Sequence, residues 1–208
     1  LRPQCPTRWT TRQESIQSVL DNYSSIIQTL DDIALQDKSD AGTKANGLAS
    51  VMNTFGFYFS LKSGSLIFSR AETLSKVLQS KKLTVPTALK SMEQTRSAME
   101  RFRRESDWSE LWESCTREAK MLNLDEPTVP RQRRAPRRID EGSQPAALSP
   151  PDHYRRIFFE FLDTVSGTMT QRLQQPALKI YTTIDSSLVA AANGQLSADE
   201  ITDNLTTI

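Results

Sequence analysis

The sequence predicts an all-α fold, a multi-helix antiparallel array, and three observations predict it. Only seven glycines occur in 208 residues, against an average of about 7 %, too few for a turn-rich β protein or a glycine-rich phosphate loop. Apolar residues recur at three- and four-residue intervals through most of the chain, which gathers them on one face of a helix. No segment reads as a strand, and no self-similarity at the period of a solenoid repeat is evident.

The elements follow in order. Ile16, Val19, Leu20, Tyr23, Ile26, Ile27, Leu30 and Ile33 paint a single face, so one helix is expected from Thr11 to about Ala34. Thr11 and Glu14 have the spacing of a capping box at its start. Asp37 to Asp40 is a polar turn. A second helix is expected from about Ala41 to Leu61, burying Ala45, Leu48, Met52, Phe55 and Phe59, with Lys62-Ser63-Gly64 as its breaker. The block Phe55-Gly56-Phe57-Tyr58-Phe59 is aromatic all round the helix, which points to central burial. A third helix runs through Leu66, Ile67, Ala71, Leu74, Val77 and Leu78 to the basic turn Ser80-Lys81-Lys82. Pro86 suits the first turn of a fourth, which presents Leu89, Met92, Met99 and Phe102. Asp107 is the expected cap of a fifth, with Leu111, Trp112, Cys115, Ala119 and Leu122; Trp108 and Trp112 share its core face.

The character then changes. Six prolines fall between Asp125 and Pro151, and five arginines between Arg131 and Arg138. Such a stretch reads as an exposed linker, not a packed element. The chain divides accordingly into a first helical part at 1–125, a Pro/Arg-rich basic linker at 126–151 and a second helical part at 152–208. In the last, Tyr154, Ile157, Phe158, Phe161, Leu162, Val165, Met169 and Leu173 form one amphipathic helix with Asp152 near its cap. Pro176 separates it from another through Leu178, Tyr181, Ile184, Leu188 and Val189, closed by Asn193-Gly194. Leu196 to Ile208 read as the beginning of a further element.

Composition narrows the function. The chain is 37 % apolar and 25 % charged with a formal net charge of +1, so attraction to nucleic acid has to be local, not global. Cys5 and Cys115 belong to no paired metal motif and read as free thiols of an intracellular protein. No apolar run is long enough to span a membrane, no secretory signal pattern is present, and a chain beginning at Leu1 reads as part of a larger protein. The Asn22-Tyr23-Ser24 and Asn204-Leu205-Thr206 triplets read as chance matches to the glycosylation pattern. His153 is the single histidine, so neither a zinc ligand set nor a Ser-His-Asp or Cys-His pair can be assembled around it with a supporting motif. Asp31-Asp32 and Asp199-Glu200 are what exposed helix faces and caps ordinarily carry. By itself the chain does not read as an enzyme.

Two segments carry binding chemistry. Arg131, Arg133, Arg134, Arg137 and Arg138 stand among prolines with no acid between them. Such a run grips phosphate backbones by charge, with little sequence discrimination and strong salt dependence. It equally fits a nuclear localisation signal or a solvated basic linker, and Phe102 among Arg101, Arg103 and Arg104 either extends the patch or belongs to a solvated helix end. Near the start, Arg8-Trp9 precedes the first helix. Trp9 either packs the chain onto the helical core or stacks on a base beside the arginine.

In order and spacing these pieces resemble the helical insertion region of hAT-superfamily transposases, in particular the zinc finger MYM-type protein 1-like group. Cys5, Thr7-Arg8-Trp9 and Arg12 resemble that group's C-x-TRW-x-x-R block. Ala45-Asn46-Gly47-Leu48, Phe55 to Phe59, Leu74 to Gln79, the Arg131 to Arg138 linker and Tyr154 to Asp163 resemble its later blocks, so the likeness spans nearly the whole chain. The resemblance implies an insertion within an RNase H-like core whose three metal-binding acids lie outside this sequence. No cofactor is then expected here, and a divalent metal such as Mg only in the parent's catalytic core. It implies a nuclear, transposon-derived and domesticated DNA-binding protein, with Arg8 and Trp9 near a flipped or hairpinned DNA end and Arg131 to Arg138 on the backbone. Self-association is expected through a C-terminal region outside this chain, and no membrane partner is expected. One alternative is a helical protein-interaction module of a nuclear regulatory protein with a basic localisation linker; another is an active DDE-type transposase whose chemistry lies outside this sequence.

Overall fold

A computed structural model describes residues 10–81, 83–130, 148–173 and 176–195, apart from the side chains at 10–12, 172–173 and 176–179. Eight helices lie among them: α1 (Thr10–Asp21), α2 (Tyr23–Gln36), α3 (Asp40–Met52), α4 (Phe55–Leu78), α5 (Val85–Arg101), α6 (Glu105–Met121), α7 (Pro150–Leu173) and α8 (Pro176–Ala192). The described residues contain no strand. The fold is all-α, as the sequence predicts.

Several boundaries differ from the expectation, each for a physical reason. The single helix expected from Thr11 to Ala34 is two. Asn22 leaves helical geometry (φ −113°, ψ 19°), and its side-chain amide donates back to Ser18 O at 2.9 Å. The break lets α1 pack on α4 while α2 packs on α3. It also buries Tyr23, whose hydroxyl donates to Met52 O at 2.6 Å. Continuous periodicity on one face therefore concealed two helices with different partners. α1 already begins at Thr10, so Thr11 lies inside it and does not cap it.

The second break is also displaced. The chain leaves the helix at Asn53-Thr54, where the Thr54 hydroxyl accepts from Phe57 N at 3.3 Å and caps α4. α4 then continues through Lys62-Ser63-Gly64. A side chain at Gly64 would point at α1, its Cβ 3.5 Å from Ile16 Cδ1, and burial against α1 overrides the weak helix propensity of glycine. Within α3 the buried face is Gly42, Ala45, Ala49 and Met52, mostly small residues that let α3 lie close against α2. Leu48, expected in the core, is exposed instead.

α5 starts as expected, with Pro86 in its first turn and the Thr84 hydroxyl accepting from Thr87 N at 3.4 Å. α6 begins at Glu105, with Arg104 at the cap position. Asp107 is therefore not the cap but a first-turn acid, where the helix dipole favours it. α7 begins at Pro150, inside the stretch expected to be linker. Ser149 and Asp152 cap it reciprocally: the Ser149 hydroxyl accepts from Asp152 N at 3.4 Å and donates to the Asp152 carboxylate. α8 closes at Gly194, whose φ of +69° is the left-handed geometry expected there.

The core is aromatic and centres on the start of α4, as the Phe55 to Phe59 block predicts. Phe55 and Phe59 are both buried. Phe55 lies 5.4 Å from Trp112 and 5.0 Å from Tyr154, centroid to centroid, in edge-to-face contacts. Phe59 lies 6.2 Å from Trp108 and 5.0 Å from Tyr154. Such edge-to-face pairs add about 0.5–1.5 kcal/mol each beyond the area they bury. Cys115 is a free, buried cysteine within the same core.

Candidate functional site

The corner from which the basic segment departs is built from α3, α4, α6 and α7. After α6, Asn123 takes a positive φ of 53°, and Leu124 N donates to Ala119 O at 3.0 Å. This left-handed turn directs the chain back over the core, where Leu122 and Leu124 pack. Asp125 N then donates to Asn53 O at 2.9 Å, tying the departing chain to the α3–α4 junction. Three residues on, Thr128 O accepts from the Tyr154 hydroxyl at 3.4 Å. Tyr154 lies in the first turns of α7, and its ring sits in the aromatic cluster, 5.8 Å from Trp112. Gly56 leaves room for the hydroxyl, since a Cβ there would lie 3.2 Å from it. One buried tyrosine thus holds together the chain entering the basic segment and the helix that follows it.

The residues singled out for DNA contact, namely Arg8, Trp9, Arg131, Arg133, Arg134, Arg137 and Arg138, all lie outside the described residues. So do Cys5 and residues 196–208. Among the described arginines, a group gathers where the α5–α6 corner meets α7. Arg103 and Arg155 lie on the ring of Phe159, each 5.2 Å from its centroid. Arg103 is ion-paired to Glu100 at 3.1 Å and also to Asp163. Arg155 is paired to Glu105 at 2.7 Å. Their charges are spent in bracing the corner against α7, and Asp152 and Glu160 border the same depression. The Arg103 charge is therefore matched by acids within the fold. Phe102 packs against the core, with the Arg70 guanidinium 5.8 Å from its ring centroid.

A polar cleft of about 720 Å³ opens between α1, α4 and α6. On its wall Glu118 accepts from the Tyr58 hydroxyl at 2.5 Å and from the Ser114 hydroxyl at 2.6 Å. It is also paired with Lys62 at 2.9 Å. Burial pushes the Glu118 carboxyl up, but the three hydrogen bonds and the Lys62 charge outweigh it and hold the group at about 2. Tyr58 is driven well above the ordinary tyrosine range by burial and then by its bond to Glu118. Burial lifts the Cys115 thiol to about 12, the nearby Lys62 opposing and Glu118 adding to the shift. A carboxylate whose oxygens are all engaged is a poor proton acceptor, and a buried thiol held protonated is a poor nucleophile. The cluster reads as a structural lock between α4 and α6. Sequence reading passed over it, although Tyr58/Lys62 and Ser114/Glu118 are both polar i, i+4 pairs on core-flanking faces.

Among the described residues no three His, Cys, Asp or Glu side chains come together as a metal site, and no helix is long and apolar enough to cross a membrane. His153 lies beside Tyr154 at the start of α7, half-buried, its ring centroid 5.2 Å from that of Tyr154. No protein-family model and no solved structure matches the chain.

Proposed function

We propose that the chain is the helical insertion region of a domesticated hAT transposase-like nuclear protein, engaging DNA and supporting assembly without catalysing chemistry by itself. The observation that carries this reading is the pinning of Thr128 to Tyr154. It fixes the point of departure of the acid-free run Arg131 to Arg138 and the return of the chain into α7 on one aromatic cluster. A basic segment held at both ends loses less freedom on meeting a phosphate backbone than a free tail does. Arg8 and Trp9 take the DNA end in this reading, Trp9 by stacking on an unpaired base. Any divalent metal belongs to the parent's catalytic core.

The test is binding of the chain to a fluorescent duplex and to a hairpin DNA. The quintuple Arg131/Arg133/Arg134/Arg137/Arg138→Ala variant is expected to lose affinity for both. Trp9→Ala is expected to lose the preference for the hairpin while keeping duplex affinity. Negligible binding by every form at low salt contradicts the proposal.

A second reading, a helical protein-interaction module whose arginines serve nuclear import, is favoured by one observation. The α2–α3 hairpin exposes Leu35 (79 %), Leu48 (57 %) and Val51 (50 %) to solvent, an apolar surface of the kind that partners cover.

A further inference from the structure

The cleft between α1, α4 and α6 extends beyond the Glu118 lock on its wall. Tyr23, just past the end of α1, lies edge-on to Tyr58 at 5.1 Å, and Ile16 lies over Gly64, so α1 runs antiparallel to α4. The Tyr58–Glu118 bond and the Arg70 guanidinium over Phe102 set α6 antiparallel to α4 in the same way. Asp21 therefore stands toward the Tyr58 end of the cleft, and Asp107 and Glu110 toward the Arg70 end. From Tyr58 to Arg70, α4 runs about 18 Å, the reach of about five extended residues. Half-buried Leu20, Leu66 and Leu111 line the same cleft.

Its vacant groups are mostly acceptors. The Asp107 and Glu110 carboxylates have no partner among the described residues. Asp21 accepts from Gln17 Nε2 at 2.7 Å, which turns Gln17 Oε1 to the Ser65 hydroxyl at 3.2 Å. The Ser65 hydrogen is thereby spent, so Gln13 meets Ser65 with its Nε2, at 3.3 Å. The chain of bonds has one direction, and at its head Gln13 Oε1 is buried with no partner among the described residues. A vacant buried acceptor is unfavourable until a donor reaches it. Of the cations bordering the cleft, Lys62 is held by Glu118 at 2.9 Å and Arg70 rests on the Phe102 ring. Four carboxylates stand against these two cations in the lining, so the cleft suits a donor-rich cation.

We propose that the cleft takes a basic peptide segment in extended form, with one Lys or Arg side chain on Asp21 and another on Asp107 and Glu110. A backbone N–H midway along the segment reaches Gln13 Oε1, and the three leucines cover the aliphatic stems of the basic side chains. The inference is independent of DNA binding.

Titration of the isotopically labelled full chain with the capped peptide Lys-Ala-Leu-Ala-Ala-Lys, followed by nuclear magnetic resonance, tests it. Shifts are expected at the Gln13 and Gln17 side-chain amides and at the Leu66 and Leu111 methyls, and none with Glu-Ala-Leu-Ala-Ala-Glu. The Asp107→Asn/Glu110→Gln variant is expected to weaken binding by about five-fold or more. Both side chains are without partners, so this variant keeps the fold. Glu113→Gln removes the same charge from the exposed side of α6, away from the cleft, and is expected to leave the affinity unchanged. Three results overturn the proposal: no shifts at millimolar peptide; an equal loss of affinity in Glu113→Gln, which reduces the effect to diffuse charge; or cleft shifts with spermine and none with the peptide, which assigns the site to a small polyamine.

Discussion

Two glycines of α3 show how one helix treats the same residue in opposite ways. A Cβ at Gly42 would fall 1.6 Å from Asp37 O, a backbone atom that cannot rotate aside. Gly42→Ala has to pry open the α2–α3 turn and is expected to cost about 3 kcal/mol. Gly47 has nothing within 4 Å of its Cβ position, so Gly47→Ala is expected to stabilise by about 0.5–1 kcal/mol through helix propensity alone. Thermal melts of the two variants should therefore move in opposite directions. Glu118 makes the pH prediction. Its carboxyl sits near 2 in the fold against an ordinary 4.5, so its contribution is complete above about 4.5 and is lost as pH falls toward 2. Glu118→Gln is expected to cost about 1–2 kcal/mol at pH 7, and the cost should shrink across that acid window. A cost that stays constant down to pH 2.5 contradicts the assignment. The sequence offered little warning of this lock, because its four residues come from two helices whose pairing only the fold supplies.

At the scale of elements, the periodic pattern located apolar faces well and helix ends poorly. Tyr23 explains the largest miss. It fits the face that runs from Ile16 to Ile33, yet it belongs to α2 and packs against the end of α3, its hydroxyl on Met52 O. A face drawn from spacing alone does not show which partner covers it, so the break at Asn22 went unseen. Tyr23→Phe keeps the ring but leaves a buried carbonyl without its donor, and is expected to cost about 1–2 kcal/mol. Urea unfolding checks it, and an unchanged midpoint removes the hydroxyl from the account. Gly64 misled in the reverse sense: read as a breaker, it lies in mid-helix where α1 crosses α4. Caps were legible where side chain and backbone agree, as at Pro86 and Gly194, and less so at α6, where the acid in the first turn was mistaken for the cap.

For the molecule as a whole, the all-α architecture was legible because scarce glycine, helical periodicity and the lack of strand patterns all pointed the same way. The candidate site was legible only as chemistry. The sequence displays five arginines and a tryptophan beside an arginine. What it could not display is the anchoring of the basic segment's flanks, which depends on Tyr154 reaching across from α7 to Thr128. The arginines nearest to hand, Arg103 and Arg155, turn out to be engaged with acids and with Phe159. The proposal places the backbone grip on Arg131 to Arg138, and this is the central claim. Its most direct test is the salt dependence of duplex binding for the chain and for the five-arginine variant. Each phosphate neutralised contributes about 0.9 to the slope of log affinity against log salt. The account predicts that the variant's slope is shallower by up to about 4.5, with weaker binding throughout. Equal slopes for the two proteins would show that the arginines do not meet the backbone, and would leave the helices as a protein-interaction scaffold.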